Sequence, residues 1–137
     1  MSLIPIGTAV TFAKTVTETD IYLFAGITGD FSPNHVNAQY MAATPYGGII
    51  AHGALLVGLM SACSTRVLEQ AESRRPAVSL GYDRIRFVAA VRPGDTVTIT
   101  YTVVAVDEES SRTIGDIVAR NQHDEVVAVA SHILKFL

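Results

Sequence analysis

The stretch AHGALLVGLMSACSTRVLEQA, residues 51–71, decides the fold predicted for this chain. Its first half is apolar on every face of a helix, which indicates a helix enclosed by the rest of the domain. Its second half is amphipathic, so that end of the helix should emerge into water. The uncharged apolar part is interrupted by His52, Gly53 and Gly58 and is shorter than the ~20 residues that a membrane span needs. We therefore predict a long central helix over about 51–71 and no membrane span.

Strand-like runs rich in β-branched residues fill the remainder of the chain after this helix. They cover residues 78–89, 95–106, 112–120 and 125–136, and the pattern predicts a four-stranded meander. The segment VTITYTVVAV alternates apolar residues with threonine, as expected of an antiparallel sheet that is covered on one face. With an earlier strand over 8–14, the simplest packing is an antiparallel β-sheet wrapped around the long central α-helix. This predicts a single α+β domain over residues 1–137.

Two shorter helices are predicted between the first strand and the central helix. Thr17, followed three residues later by Asp20, fits a capping box at the start of the first helix, and Gly29 fits its end. A second short helix is predicted over 36–43, where Pro45 prevents its continuation.

Composition excludes several classes of function. The chain is 49% hydrophobic with a mean hydropathy of +0.33, which suggests a subunit interface in addition to a core. Its formal net charge is -3 and its largest basic cluster is Arg74-Arg75, so nucleic-acid binding is not expected. The single Cys63 excludes an internal disulfide and favours an inert core thiol. No signal-peptide pattern is recognised, and we expect a soluble, cytoplasmic protein.

A charged pair stands in the segment ITGDFSPNHVN, residues 27–37, at the border of a long uncharged region. Asp30 is the last formally charged residue before Arg66. Pro33 prevents Asp30 and His35 from sharing a helix face, but a loop that enters a short helix can bring both side chains to one water molecule. The residue types alone favour a turn over a catalytic pair.

The pair His52-Gly53 stands at the predicted start of the central helix. The backbone N–H groups there are unpaired and carry a partial positive charge, and a glycine lets an oxygen approach closely, as in an oxyanion hole. The alternative is a small residue that permits close helix packing, beside a histidine satisfied at the helix start. A metal site formed by Asp30, His35 and His52 is a weaker interpretation.

Three motifs occur in a consistent order: GITGDFSPNH at 26–35, GGIIAHGALLVGLMS at 47–61 and RIRFVAAVRPGDTVTI at 84–99. Together they resemble the MaoC-type dehydratases, the (R)-specific enoyl-CoA hydratases of the hot-dog fold. The sequence departs from the signature of that family at two positions. Ser32 stands where asparagine is usual, and Asn34 stands where an aliphatic residue is usual.

The resemblance implies a hydro-lyase of fatty acid metabolism that interconverts trans-2-enoyl-CoA and (R)-3-hydroxyacyl-CoA thioesters. Asp30 and His35 would act on one water as an acid–base pair, and the Gly53 amide would face the thioester oxygen. No metal or organic cofactor is implied, and CoA or an acyl carrier protein serves as the handle of the substrate. A homodimer or higher homo-oligomer is expected. The residues assigned to substrate binding are Ser32, Asn34 and His52.

Two alternatives remain open at the level of sequence. A hot-dog thioesterase would share the fold and the class of substrate but would hydrolyse the carbonyl, which requires a carboxylate aimed at that carbon. A non-catalytic acyl-thioester-binding subunit would keep the fold without the acid–base geometry.

Overall fold

The computed structural model describes residues 3–137. Within this range the chain forms five strands and four helices. In chain order they are β1 (Ala9–Thr15), α1 (Glu18–Thr28), α2 (Pro33–Val36), α3 (Ala38–Ala42), α4 (Gly53–Gln70), β2 (Ala77–Phe87), β3 (Thr96–Asp107), β4 (Arg112–Arg120) and β5 (Val126–Phe136).

The long helix α4 packs against one face of a five-stranded antiparallel sheet with the strand order β1-β3-β4-β5-β2. The predicted α+β hot-dog arrangement is therefore confirmed. In β3 the residues Val97, Ile99, Tyr101 and Val103 are buried while the intervening threonines are partly exposed, so the predicted alternation also holds. Cys63 is fully buried in the core.

One prediction about α4 is wrong, because the helix is not enclosed on every face. Ala54, Gly58 and Ser61 are exposed in the single chain, while Leu56, Met60 and others form the buried face. A single sheet covers only one side of a helix, and the small residues lie on the uncovered side. In residues 3–137 no helix is both long and apolar enough to cross a membrane.

The predicted four-stranded meander is also wrong. Only β3, β4 and β5 form a meander, because β2 pairs with β5 rather than with β3. The segment 88–95 must therefore cross from one side of the sheet to the other. It passes the start of α4, where the Val91 carbonyl accepts a hydrogen bond from the Ala51 N–H at 2.8 Å. It then reaches the residue that follows β1, where the Gly94 N–H donates to the Val16 carbonyl at 2.7 Å. We call this segment the crossing segment.

The ends of the short helices determine where the polar residues of the segment 27–37 lie. The capping box at α1 is confirmed, with Thr17 and Asp20 exchanging hydrogen bonds of 2.9 and 3.1 Å, and Gly29 ends the helix at φ 81°. The single helix predicted over 36–43 is wrong. Asn37 is extended, at φ -117° and ψ 91°, and separates α2 from α3, since its side chain accepts the Tyr40 N–H and caps α3.

Candidate active site

Three polar side chains meet where three helices end or begin. Asp30 follows the C-cap of α1, His35 lies in α2, and His52 is the N-cap residue of α4. One nitrogen or carboxylate oxygen from each of them lies within 4.8 Å of the others. The fold thus brings together residues that are up to 22 positions apart in the sequence.

The ring of His35 is oriented by a backbone group. Its Nδ1 lies 2.7 Å from the carbonyl oxygen of Ile50. Because a carbonyl only accepts hydrogen bonds, Nδ1 carries a proton and Nε2 is left for the site. The Ile50 N–H in turn donates to the Asn34 carbonyl at 2.9 Å, so α2 is attached to the approach to α4 by two hydrogen bonds. No side-chain pattern could reveal this partner of His35.

Asp30 lies in the turn that its composition predicts. Its N–H donates to Thr28 Oγ1 at 3.1 Å, and its Oδ1 accepts the Ser32 N–H at 3.2 Å, which is an Asx-turn. The residue is exposed. The turn and the catalytic interpretation are therefore compatible, because the turn fixes one carboxylate oxygen and leaves the other available.

Ser32 and Asn34 contribute backbone groups to this arrangement. The Ser32 side chain makes no capping hydrogen bond to α2, and Asn34 contributes its carbonyl oxygen to Ile50. A role for their side chains in substrate binding stays a prediction.

His52 lies behind the other two residues. It is only 2% exposed, and its Nε2 lies 3.0 Å from the carbonyl oxygen of Asp30. Its ring stacks on that of His35 with centroids 3.7 Å apart and an interplanar angle of 23°, and the ring of Phe24 lies 4.8 Å away. Its Nδ1 is buried and has no hydrogen-bond partner within the described residues.

The stacked rings do not suit a metal ion held by Asp30, His35 and His52. His35 Nδ1 and His52 Nε2 are engaged by carbonyl oxygens, which leaves one nitrogen on each ring. Lone pairs of imidazole lie in the ring plane, and a metal such as zinc sits ~2.1 Å from each nitrogen. Two rings that are nearly parallel and 3.7 Å apart cannot both direct their lone pairs at one ion.

A cavity of about 230 Å³ opens beside His35 and the start of α4. Its buried side includes Leu56 and Val91, and its rim includes the half-exposed rings of Tyr46 and Phe87. Most of one wall comes from the crossing segment and the end of β2. Other cavities, of about 270, 370 and 500 Å³, lie away from these residues, so size alone does not identify the site.

Gly53 is the first residue of α4 and lines this cavity. Its N–H has no partner within the helix, and the helix dipole adds a partial positive charge there. A Cβ atom at this position would lie 2.4 Å from the nearest atoms of the Phe87 ring, so only glycine fits without displacing that ring. The sequence motifs do not mark Phe87 or Tyr46 as site residues. The motif at 84–99, which includes Phe87, is the one sequence signal for this part of the cavity wall.

Comparison with known proteins agrees with the three motifs. The family model described as MaoC like domain matches residues 4–127. An (R)-specific enoyl-CoA hydratase of Rhodospirillum rubrum is 41% identical over 104 residues, which cover 75% of this chain and 68% of that protein. A 3-hydroxyacyl-thioester dehydratase Z of Mycobacterium tuberculosis is 31% identical over 100 residues, which cover 73% of this chain and 66% of that protein. The matches thus span about two thirds of the length of these relatives.

Among solved structures, an (R)-hydratase from A. caviae involved in PHA biosynthesis superimposes with a TM-score of 0.85. The superposition covers 97% of each chain at 23% sequence identity, a likeness that bears on the fold alone.

Proposed function

This chain belongs to the MaoC-like domain family, and on that premise we propose that it interconverts trans-2-enoyl and (R)-3-hydroxyacyl thioesters by reversible hydration. The prediction of a hydro-lyase is confirmed at the level of the enzyme class, since the relatives are named hydratase and dehydratase. The stereochemistry, the substrate and the residue roles given below are our proposal.

The observation that carries the proposal is the distance between the acid–base candidates. Asp30 and His35 offer polar atoms within 4.8 Å of each other. One water molecule that donates or accepts two hydrogen bonds of about 2.8 Å can bridge this gap. The Asx-turn holds the carboxylate and the Ile50 carbonyl holds the ring, so both groups are oriented before the substrate binds.

In the hydration direction, Asp30 would accept a proton from the bridging water while the water oxygen bonds to C3 of the enoyl group. His35, with Nδ1–H on the Ile50 carbonyl, would give the proton on Nε2 to C2. A proton then passes from Asp30 to His35 through the next water, which restores both groups. Acid–base assistance of this kind contributes roughly 10²–10⁴-fold in rate.

The thioester carbonyl would lie at the start of α4. The Gly53 N–H and the helix dipole would stabilise the negative charge that develops on the thioester oxygen as C3 is attacked. One oxyanion-hole donor is typically worth ~3–4 kcal/mol of barrier. The cavity is lined by both Gly53 and His35, which supports a carbonyl and a C2 atom held side by side.

The substrate would carry CoA or an acyl carrier protein as its handle, and the chemistry requires no metal or organic cofactor. The cytoplasmic location expected from the sequence stays a prediction.

We also propose a homodimer or higher homo-oligomer. Within residues 3–137, β2 pairs on one side only, and its exposed apolar residues include Val78 and Leu80. An unpaired strand of this kind is a ready template for another chain.

The proposal is tested with the variants Asp30→Asn and His35→Ala in a crotonyl-CoA hydration assay. Each is expected to abolish hydration while leaving the fold and the oligomeric state intact, because each removes one proton-transfer group. Asp124→Asn and His123→Ala make the same chemical changes on an exposed turn and should keep wild-type activity. Wild-type-like hydration in either site variant would refute the mechanism.

The thioesterase alternative is separated in the same assay. Release of free thiol from an acyl-CoA would support it, whereas hydration of the double bond without thiol release would exclude it. A non-catalytic subunit would hydrate none of a panel of short, medium, branched and dicarboxylic enoyl-CoAs. The proximity of Asp30 and His35 counts against that alternative.

A further inference from the structure

The geometry points to His52 as a positioning residue of this site: we infer that it fixes the backbone of Asp30 and the ring of His35 without touching the substrate. This inference rests on the proposed hydration chemistry. It differs from the substrate-binding role that the sequence indicates for His52.

His52 is placed where a substrate does not reach. It is only 2% exposed, whereas Asp30 is exposed and His35 lines the cavity. A group that binds substrate needs a polar atom that the substrate can reach. The polar atoms of His52 instead face the backbone of Asp30 and the protein interior.

The first contact of His52 anchors the loop that carries the carboxylate. Asp30 is exposed, and its own N–H bonds only to Thr28, two residues earlier. The bond from His52 Nε2 to the Asp30 carbonyl joins this loop to a residue 22 positions away in the sequence. Because a carbonyl only accepts hydrogen bonds, the His52 Nε2 carries a proton and is the donor in this bond.

The second contact limits the rotation of the catalytic ring. His35 and His52 stack at 3.7 Å and 23°, and Phe24 packs at 4.8 Å and 60° from the His52 ring. A ring held by a stacking partner and by the Nδ1 bond to Ile50 keeps its Nε2 aimed in one direction. Precise orientation of reacting groups is worth a large part of the rate enhancement of an enzyme.

The position of His52 at the start of α4 links the Asp30 loop to the backbone amide of the residue that follows His52. His52 is the N-cap residue, and the next residue supplies the amide proposed to hold the thioester oxygen. The start of one helix therefore sets the distance from that amide to the Asp30 loop. A shift of about 1 Å between such groups can cost 10²-fold in rate.

The test uses a matched pair of amides in the full-length protein. In His52→Gln the side-chain NH2 reaches about as far as Nε2, whereas in His52→Asn the same group is one carbon shorter and cannot reach the Asp30 carbonyl. We expect His52→Gln, which keeps the donor but loses the stacked ring, to keep kcat for crotonyl-CoA within about 5-fold of wild type, because the Nδ1 bond to Ile50 still orients the His35 ring. We expect His52→Asn to lower kcat by roughly 10–100-fold with KM changed less than about 3-fold, because the loss is one of orientation.

A third variant, His52→Phe, keeps a ring for stacking but removes the donor, and it should resemble His52→Asn in kcat. Thermal melts of all three variants establish that they are folded. A rise in KM at constant kcat in His52→Asn would mean that His52 contacts the substrate and would overturn the inference. Equal activity of the Gln and Asn variants would overturn it as well, since the hydrogen bond to Asp30 would then be without effect.

Failure of this inference is distinguishable from failure of the proposed function. If Asp30→Asn is inactive while His52→Asn matches wild type, only the role of His52 is wrong. If Asp30→Asn retains hydration, the acid–base mechanism itself is wrong, and the positioning role falls with it.

Discussion

Replacing Gly53 with alanine tests whether the cavity wall and the start of α4 must fit each other. The substitution keeps the backbone N–H that is proposed to hold the thioester oxygen, and it adds one methyl group. That methyl group would lie 2.4, 2.4 and 2.6 Å from three atoms of the Phe87 ring, where ordinary contact distances are 3.4–4 Å. The ring must therefore move by about 1 Å, since 3.4 minus 2.4 is 1.0.

The Phe87 ring can move toward solvent, because it is 54% exposed and lies at the rim of the cavity. We expect Gly53→Ala to remain folded and to lower kcat/KM for crotonyl-CoA by roughly 10–100-fold, because the Phe87 ring lines the cavity and a shift of about 1 Å there would misplace the substrate. Gly58→Ala in the same helix is the matched control, because a Cβ atom there has no neighbour within 4 Å. It should keep wild-type activity.

A double-mutant cycle identifies the cause of the loss. In the Phe87→Ala background the ring is gone, so adding Gly53→Ala should change kcat/KM by less than about 3-fold. A full 10–100-fold loss in that background would refute the steric reasoning. The methyl group would then act on the helix terminus or on the thioester directly.

Two further predictions concern stability. Burial lowers the pKa of His132 to about 4, below the 6.5 of an unfolded chain, so the native state resists its protonation. The contribution of neutral His132 to the free energy of unfolding is fully present above pH 6.5 and is lost, by about 3 kcal/mol, as the pH falls towards 4. Urea unfolding of the wild type relative to His132→Gln, measured across this pH range, should show this slope. Separately, Thr17→Ala should cost about 1 kcal/mol in urea unfolding through loss of the α1 cap, whereas Thr17→Ser keeps the capping oxygen and should cost little. An equal cost for the two variants would contradict that assignment.

The features that the sequence predicted well are those set by neighbours along the chain. The central helix was predicted over 51–71 and is observed over Gly53–Gln70, because its apolar run and its boundaries are local signals. The capping box of α1 and the alternation of β3 are local in the same sense. The break at Asn37 was missed because its side chain competes with the helix by capping α3.

The features that the sequence did not predict depend on contacts between distant residues. The pairing of β2 with β5 instead of β3 cannot be read from strand patterns, since any amphipathic strand can pair with any other. This error has a functional consequence. The route of the crossing segment, which supplies Val91 to the cavity wall, follows from that pairing. The partner of His35, the Ile50 carbonyl, leaves no side-chain signal at all.

Composition alone does not separate a turn from a catalytic pair at Asp30, and the geometry of the turn explains why. The Asx-turn that composition favours uses one carboxylate oxygen and the backbone N–H of Ser32, and so fixes where the other oxygen points. A catalytic carboxylate on an exposed loop needs such a constraint, because orientation is what an exposed carboxylate otherwise lacks. Under the role proposed for Asp30, the residue preferences of turns and of active sites coincide at this position for a physical reason. Only a contact from outside the turn, such as that of His52, can distinguish the two.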